Sequence, residues 1–266
     1  MTIDAARRIC ATSFLPAACA AWLMLLPGYS VGGEVKAVVE LFTSQGCSSC
    51  PPADRLLGDL ARDPSIVAMT LPVDYWDYLG WRDTLANPRF SARQRAYARR
   101  RGDRNVATPQ VIVNGLVPVV GSDRAAIEGA IARTQGDAMT ASVSVVAAGD
   151  KLHVDVAARN GAGEAASDKG EGRKSETYKG EVWLCAVTKK VPVQIGKGEN
   201  SGRSVVYHNV SRRWLKLGDW NGKTVRWTVP LSDITALDAD AAAAIVQSGS
   251  ADHPGPMLGA AIASIR

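Results

Sequence analysis

The stretch that most limits what this chain can become is Phe42-Thr43-Ser44-Gln45-Gly46-Cys47-Ser48-Ser49-Cys50-Pro51-Pro52-Ala53-Asp54. An apolar run, Val35 to Phe42, leads into it, and Leu56, Leu57 and Leu60 follow at helical spacing. The pattern predicts a strand, a tight turn carrying two cysteines, and a helix that starts at the prolines and ends near Asp63-Pro64. Pro51 and Pro52 suit that start, because the first helical positions need no N–H and accept the fixed proline φ. The helix N-terminus presents unpaired N–H groups and the positive end of its dipole to the first cysteine, which favours thiolate over thiol. The residues by themselves leave three chemistries open for Cys47 and Cys50: a dithiol–disulfide couple, a local structural bridge, and a soft-metal site suited to Cu(I). Residues 34–140 contain no histidine, so a copper carrier would draw its other ligands from the second half of the chain or from a partner.

The N-terminus is read apart from the fold. Arg7 and Arg8 precede a nearly uninterrupted apolar run, Ile9 to Pro27, and then the small, turn-prone Gly28-Tyr29-Ser30-Val31-Gly32-Gly33. Residues 1–33 read as a signal peptide cleaved between Ser30 and Glu34, or, if uncleaved, as an N-terminal anchor. Losing them removes two arginines, one aspartate, Cys10 and Cys19, and lowers the net charge from +5 to +4. Only Cys47, Cys50 and Cys185 then remain, which excludes a multi-disulfide scaffold. The expected location is secreted or periplasmic, with membrane contact only through an uncleaved N-terminal segment. With 46% hydrophobic and 21% charged residues, wholesale disorder is excluded.

Along residues 34–136 the pattern alternates between strands and helices. Ile66 to Val73 reads as a second strand, followed by an aromatic loop with Tyr75, Trp76, Tyr78 and Trp81. Residues 88–101 read as a helix opened by Pro88 and closed by Gly102. Thr108-Pro109-Gln110-Val111-Ile112-Val113-Asn114-Gly115 reads as a strand ending in a hairpin turn, with Leu116 to Val120 returning and a last helix from Asp123 to about Arg133. Residues 137–266 differ in texture. Leu152, Val154 and Val156 alternate with polar neighbours, and further strands are expected near 181–188, 191–195, 203–210, 213–217, 223–229 and 242–247. Residues 159–180, rich in Gly, Ala, Ser, Glu and Lys, read as a mobile loop. The expected architecture is thus an α/β domain at 34–136 followed by a mostly antiparallel, β-sandwich-like domain at 137–266.

The first of these segments resembles a thioredoxin-like domain, with Cys-x-x-Cys after the first strand and Thr-Pro before the third. The resemblance implies a cis Thr108–Pro109 peptide lying against the cysteine pair and a substrate backbone held there. More narrowly, Glu40 to Asp54, Val73-Asp74-Tyr75-Trp76-Asp77-Tyr78-Leu79-Gly80-Trp81 and Tyr207-His208-Asn209-Val210 resemble the DUF1223 family of secreted bacterial proteins. That family's function is unknown, so the resemblance implies a fold and a bacterial cell-envelope location but no reaction.

Two readings of function stand side by side. In the first, the chain is a thiol–disulfide oxidoreductase acting on a protein or small-molecule thiol or disulfide. Cys47 would be the attacking thiolate, Cys50 the resolving thiol, and Thr108 and Pro109 the substrate clamp, with no dissociable cofactor required. Tyr75 and Trp76 would form a substrate platform or a lid over the sheet edge. In the second, the chain is a binding or assembly module with a structural Cys47–Cys50 bridge. Solvent access to Cys47 separates the two. Arg89, Arg93, Arg95, Arg99, Arg100, Arg101 and Arg104 read as a solvated helix face, and export argues against nucleic acid as a partner. Cys185, inside an apolar run, reads as a buried thiol. His153, His208 and His253 lack metal-ligand spacing, and no metal site, catalytic triad or phosphate loop is expected.

Overall fold

Strand β1 (Ala37–Thr43) is buried along its whole length, and its side chains divide by parity between two cores. Val39 and Leu41 pack with Leu56, Leu57 and Leu60 of α1 (Pro51–Leu60) and with Ile127 and Ala130 of α3 (Arg124–Thr134). Val38 and Phe42 pack with Phe90 and Tyr97 of α2 (Pro88–Arg101). A strand with helices on both faces has no solvated side, which is why its apolar residues do not alternate. β2 (Ile66–Pro72) runs parallel to β1, β3 (Gln110–Val113) runs antiparallel to it, and β4 (Val117–Val120) returns beside β3.

The structure, a computed structural model, describes residues 34–134, 139–159 and 179–266, which belong to one compact unit. The expected leader or anchor at 1–33, the expected boundary at 136/137 and all but the ends of the expected loop at 159–180 lie outside the described residues. The described part is an α+β protein with few helices, built on one mixed eight-stranded sheet.

The large sheet continues from the first half of the chain into the second. β8 (Ser204–Trp220) joins the edge of β2, pairing in parallel at Thr70 and Val210, so the large sheet runs β11-β10-β7-β8-β2-β1-β3-β4. Thr70 Oγ1 donates to the His208 carbonyl at 2.6 Å, and Asn209 Nδ2 donates to the Ala68 carbonyl at 2.9 Å. These bonds fasten a junction with little ladder pairing. The strands expected at 181–188 and 191–195 are one long strand, β7 (Gly180–Gln194), and those at 203–210 and 213–217 are the single strand β8. Register shifts near Val182 and Ala186 let the long hairpin bend without ending.

A smaller sheet, β5-β6-β9, covers part of the second half. Val145 of β5 (Ala141–Ala148) and Leu152, Val154 and Val156 of β6 (Lys151–Ala158) pack against Leu184, Ala186, Ala244 and Val246 of the large sheet. β9 (Val225–Pro230) completes the small sheet, and β10 (Ala241–Ser250) and β11 (His253–Ser264) complete the large one.

The two halves are also joined by a buried polar knot. Glu40 sits on the α2 face of β1 and would be costly there unpaired. Arg93 Nε meets its Oε1 at 2.7 Å, and Arg93 Nη2 reaches Tyr97 Oη and Gln247 Oε1, each at 2.8 Å. The guanidinium also lies 4.2 Å from the Trp214 ring centroid. Arg93 is therefore not part of a solvated basic face. Burial is the largest single influence and tends to strip its proton, but Glu40, Tyr97 and Cys185 together outweigh it and hold the guanidinium charged. Arg89, Arg95, Arg99, Arg100 and Arg104 are exposed.

Candidate functional site

Cys47 and Cys50 form a disulfide at the start of α1. The turn is closed by backbone bonds, Cys47 N–H to the Ser44 carbonyl at 3.2 Å and Cys50 N–H to the Cys47 carbonyl at 3.1 Å. Cys50 occupies the N-cap position, and Pro51 and Pro52 open the helix. The prolines alter the expected electrostatics. They contribute no N–H groups, and the next two, on Ala53 and Asp54, both donate to the Cys50 carbonyl. The dipole of the helix remains at the disulfide, without the fan of free N–H donors that the sequence reading expected.

The residues singled out in the sequence converge on this helix end. Gly46 lies against Trp76: a side chain at position 46 would put its Cβ 3.0 Å from Trp76 Cβ, a tight contact that glycine avoids. Trp76 Nε1 donates to Thr108 Oγ1 at 2.8 Å. The Thr108–Pro109 peptide is cis, and Pro109 lies with Leu41 and Ala53 around Gly121. Tyr75 stacks obliquely on Trp76, its ring centroid 6.4 Å away, and its hydroxyl donates to Gln94 Oε1 at 3.1 Å. Gln94 in turn donates to the Ala107 carbonyl at 2.8 Å and to Gln110 Oε1 at 3.0 Å, tying the Thr-Pro loop to α2. Tyr75, Trp76, Thr108 and Pro109 are each partly exposed, whereas Tyr78 stands 79% exposed nearby in sequence.

Access is the feature that departs most from a simple open site. Ser48 and Ser49 are exposed, but Cys47 is 1% exposed and Cys50 is fully buried. The tip of the β7–β8 hairpin, residues 196–203, is bonded to this turn. Asn200, itself buried, donates from Nδ2 to the Gln45 carbonyl at 2.9 Å and to the Cys47 carbonyl at 2.8 Å. Glu199 Oε2 accepts from Ser48 N–H at 3.3 Å.

Two buried carboxyls lie behind the turn. Asp54 follows Cys50 by one helical turn, and its Oδ1 accepts from Thr43 Oγ1 at 2.8 Å. Its Oδ2 is buried with no hydrogen-bond partner among the described residues. A carboxylate in the first turn of a helix is ordinarily favoured by the dipole. Here desolvation dominates, with the Asp83 charge adding to it, and the Asp54 pKa is pushed up to about 8 despite the Thr43 bond. Asp83 accepts from the backbone N–H groups of Gln45 and Leu85, both at 2.8 Å, and burial raises its pKa as well. Gln45 links this layer to the aromatic loop, its Oε1 accepting from Trp81 Nε1 at 2.8 Å.

A family model described as "Protein of unknown function (DUF1223)" matches residues 38–247, from β1 into β10. The chain belongs to the DUF1223 family. It is also similar to the crystal structure of an Agrobacterium tumefaciens protein solved as a structural-genomics target. The two are 31% identical with a TM-score of 0.73, over 88% of this chain and 96% of that one. No curated protein matches it.

In this DUF1223 chain, several members of the cluster carry no signal in the sequence. Asp54 stands in the cysteine motif, but nothing local marks it as buried with an orphan oxygen. Asp83 reads as one acid of a polar loop, and Asn200 lies 153 residues from Cys47 inside a Gly-rich turn. Among the described residues no group of three or more His, Cys, Asp or Glu is placed to hold a metal ion.

Proposed function

We propose that the chain is a thiol–disulfide oxidoreductase of the bacterial cell envelope, with Cys47 and Cys50 as its redox couple and a thioredoxin-like segment as its frame. The order β1-α1-β2-α2-β3-β4-α3, the disulfide at the start of α1 and the cis Thr108–Pro109 bond, tied to the cysteine turn through Trp76, support that frame. The secretory pattern of residues 1–33 supports the location. The observation that carries the reading is Asp54. A static bridge has no use for a buried carboxyl with an unpartnered oxygen and a pKa near 8, which costs stability at neutral pH.

The exchange balances as follows. A substrate thiolate attacks the Cys47 sulfur, the Cys47–Cys50 bond breaks, and Cys50 leaves with the electron pair as thiolate. Asp54, protonated below about pH 8 and one turn away, supplies the proton that makes Cys50 a thiol. A second substrate thiol, deprotonated, then attacks the mixed disulfide at the substrate sulfur, and Cys47 leaves as thiolate. The substrate has been oxidised by two electrons and the couple reduced by two. In the opposite direction Cys47 attacks, and Asp54 as carboxylate takes the proton from Cys50. Thr108 and Pro109 hold the substrate chain, and Tyr75 and Trp76 form the wall beside it.

The burial of Cys47 favours the second reading, a structural bridge in a binding module, and the two predict different potentials. Titration of the couple against glutathione buffers tests them. Exchange-active pairs fall between about −120 and −270 mV, whereas structural disulfides fall below about −300 mV. A value in the lower range would set the redox reading aside.

A further inference from the structure

We infer that the tip of the β7–β8 hairpin, residues 196–203, is a latched lid over the Cys47–Cys50 bond, and that Asn200 is its latch. Its use in exchange rests on the redox reading above, but the lid itself does not. The tip touches the cysteine turn through few bonds, and they are polar. Asn200 Nδ2 spans the Gln45 and Cys47 carbonyls, and Glu199 accepts from an exposed Ser48 N–H at 3.3 Å. Asn200 Oδ1 is buried with no partner among the described residues, so the latch is held in a form that leaves one of its own groups unsatisfied. Such a contact is one that water can replace on opening.

The tip is built to move as a unit. Internal bonds brace it: Gly202 N–H to the Ile195 carbonyl at 2.8 Å, Ser201 Oγ to the Gly196 carbonyl at 3.1 Å and Arg203 N–H to the Asn200 carbonyl at 3.1 Å. At its base Ile195 and Val205 are buried with Tyr207 and Val210, against Trp81 and Leu85, which anchors the hairpin below the tip. Where the tip meets the Trp81 ring it presents Gly196, and a Cβ there would stand 3.0 Å from the ring, so a larger residue would press on it in the closed position. A rigid tip on a fixed base, held down by one buried amide, is the arrangement of a lid. It reconciles a sulfur pair placed for exchange with a Cys47 that is 1% exposed.

The test is access to a small dithiol. The oxidised full chain is reduced by dithiothreitol, quenched by alkylation at intervals and read by mass. One reagent thiolate attacks Cys47, Cys50 leaves as thiolate, and the reagent's second thiol closes its own disulfide and releases Cys47. Asn200→Ser cannot span both carbonyls, and Asn200→Asp replaces the donor with oxygen. Each variant that folds should be reduced at least about tenfold faster than the parent, while its urea midpoint shifts too little for global unfolding to supply the rate. A rate within about twofold of the parent, or a rise that tracks the urea midpoint, overturns the lid. Hydrogen exchange on the unaltered chain gives an independent reading should neither variant fold. Segments 196–203 and 44–49 should exchange together and well before β1, and exchange of the tip no earlier than β1 overturns the proposal. With both cysteines unchanged, the ratio of variant to parent rates reads access, so a lid confirmed beside a potential in the structural range would separate this inference from the redox reading.

Discussion

Replacing Asp54 by Asn should give a protein whose stability relative to the parent increases as pH rises. The group's folded pKa is about 8 against an ordinary value of 3.8, with burial as the main cause. Folding thus raises its affinity for a proton. The stability it contributes is fully present below 3.8 and is lost as pH rises through about 8. Each pH unit inside that window is worth about 1.4 kcal/mol, so between about pH 5 and pH 7.5 the parent should lose about 3 kcal/mol relative to Asp54→Asn. Asparagine keeps an oxygen to accept from Thr43 but buries an amide whose donors lack partners, an offset of about 1–3 kcal/mol that does not vary with pH. The diagnostic quantity is therefore the slope of the difference. Urea unfolding with the disulfide intact, at several pH values, measures it. Parallel pH profiles for the two proteins would show that Asp54 titrates normally and would remove the main support for its role behind the disulfide.

Two further outcomes follow from the same physics. Arg93→Met leaves the buried Glu40 side chain without its cation and should cost about 3–5 kcal/mol in urea unfolding, with a melting transition that stays cooperative because the continuous eight-stranded sheet and its shared apolar core still join the two halves. Cys185 is fully buried and desolvation pushes its thiol pKa up, so iodoacetamide at neutral pH should leave it unlabelled in the folded protein and label it in urea. Labelling of Cys185 at native rates would contradict its placement between the Arg93 knot and the large sheet.

The parts of the fold that could be read in the sequence are those fixed by neighbouring residues. Pro51-Pro52 start α1, Asn87-Pro88 and Gly102 bracket α2, and Asn114-Gly115 turn β3 into β4, because each rests on local backbone chemistry. The parts that could not be read depend on distant partners. Lys189-Lys190 looks like a break, yet β7 continues through it because this stretch of the hairpin is solvated and charge on it is harmless. β11 is masked by Pro254 and Pro256, which an edge strand tolerates where a central one would not. Glu40 in a wholly buried strand needs a partner, but the arginine-rich helix offers several cations, and only packing selects Arg93. The cysteine pair with its aromatic and Thr-Pro neighbours is marked by residue type. The hairpin cover is not, because Asn200 works through two backbone carbonyls that any sequence at positions 45 and 47 would present.

Covalent trapping tests the central claim most directly. Cys50→Ala removes the thiol that would release a partner from Cys47, while Cys185, buried on β7 of the large sheet, cannot take its place. Cells expressing Cys50→Ala or Cys47→Ala are lysed in alkylating agent, and envelope extracts are run without reductant. The account predicts higher-mass adducts with Cys50→Ala that vanish on adding dithiothreitol and are missing with Cys47→Ala. Equal patterns from the two variants would contradict it and leave Cys47–Cys50 as a structural bridge.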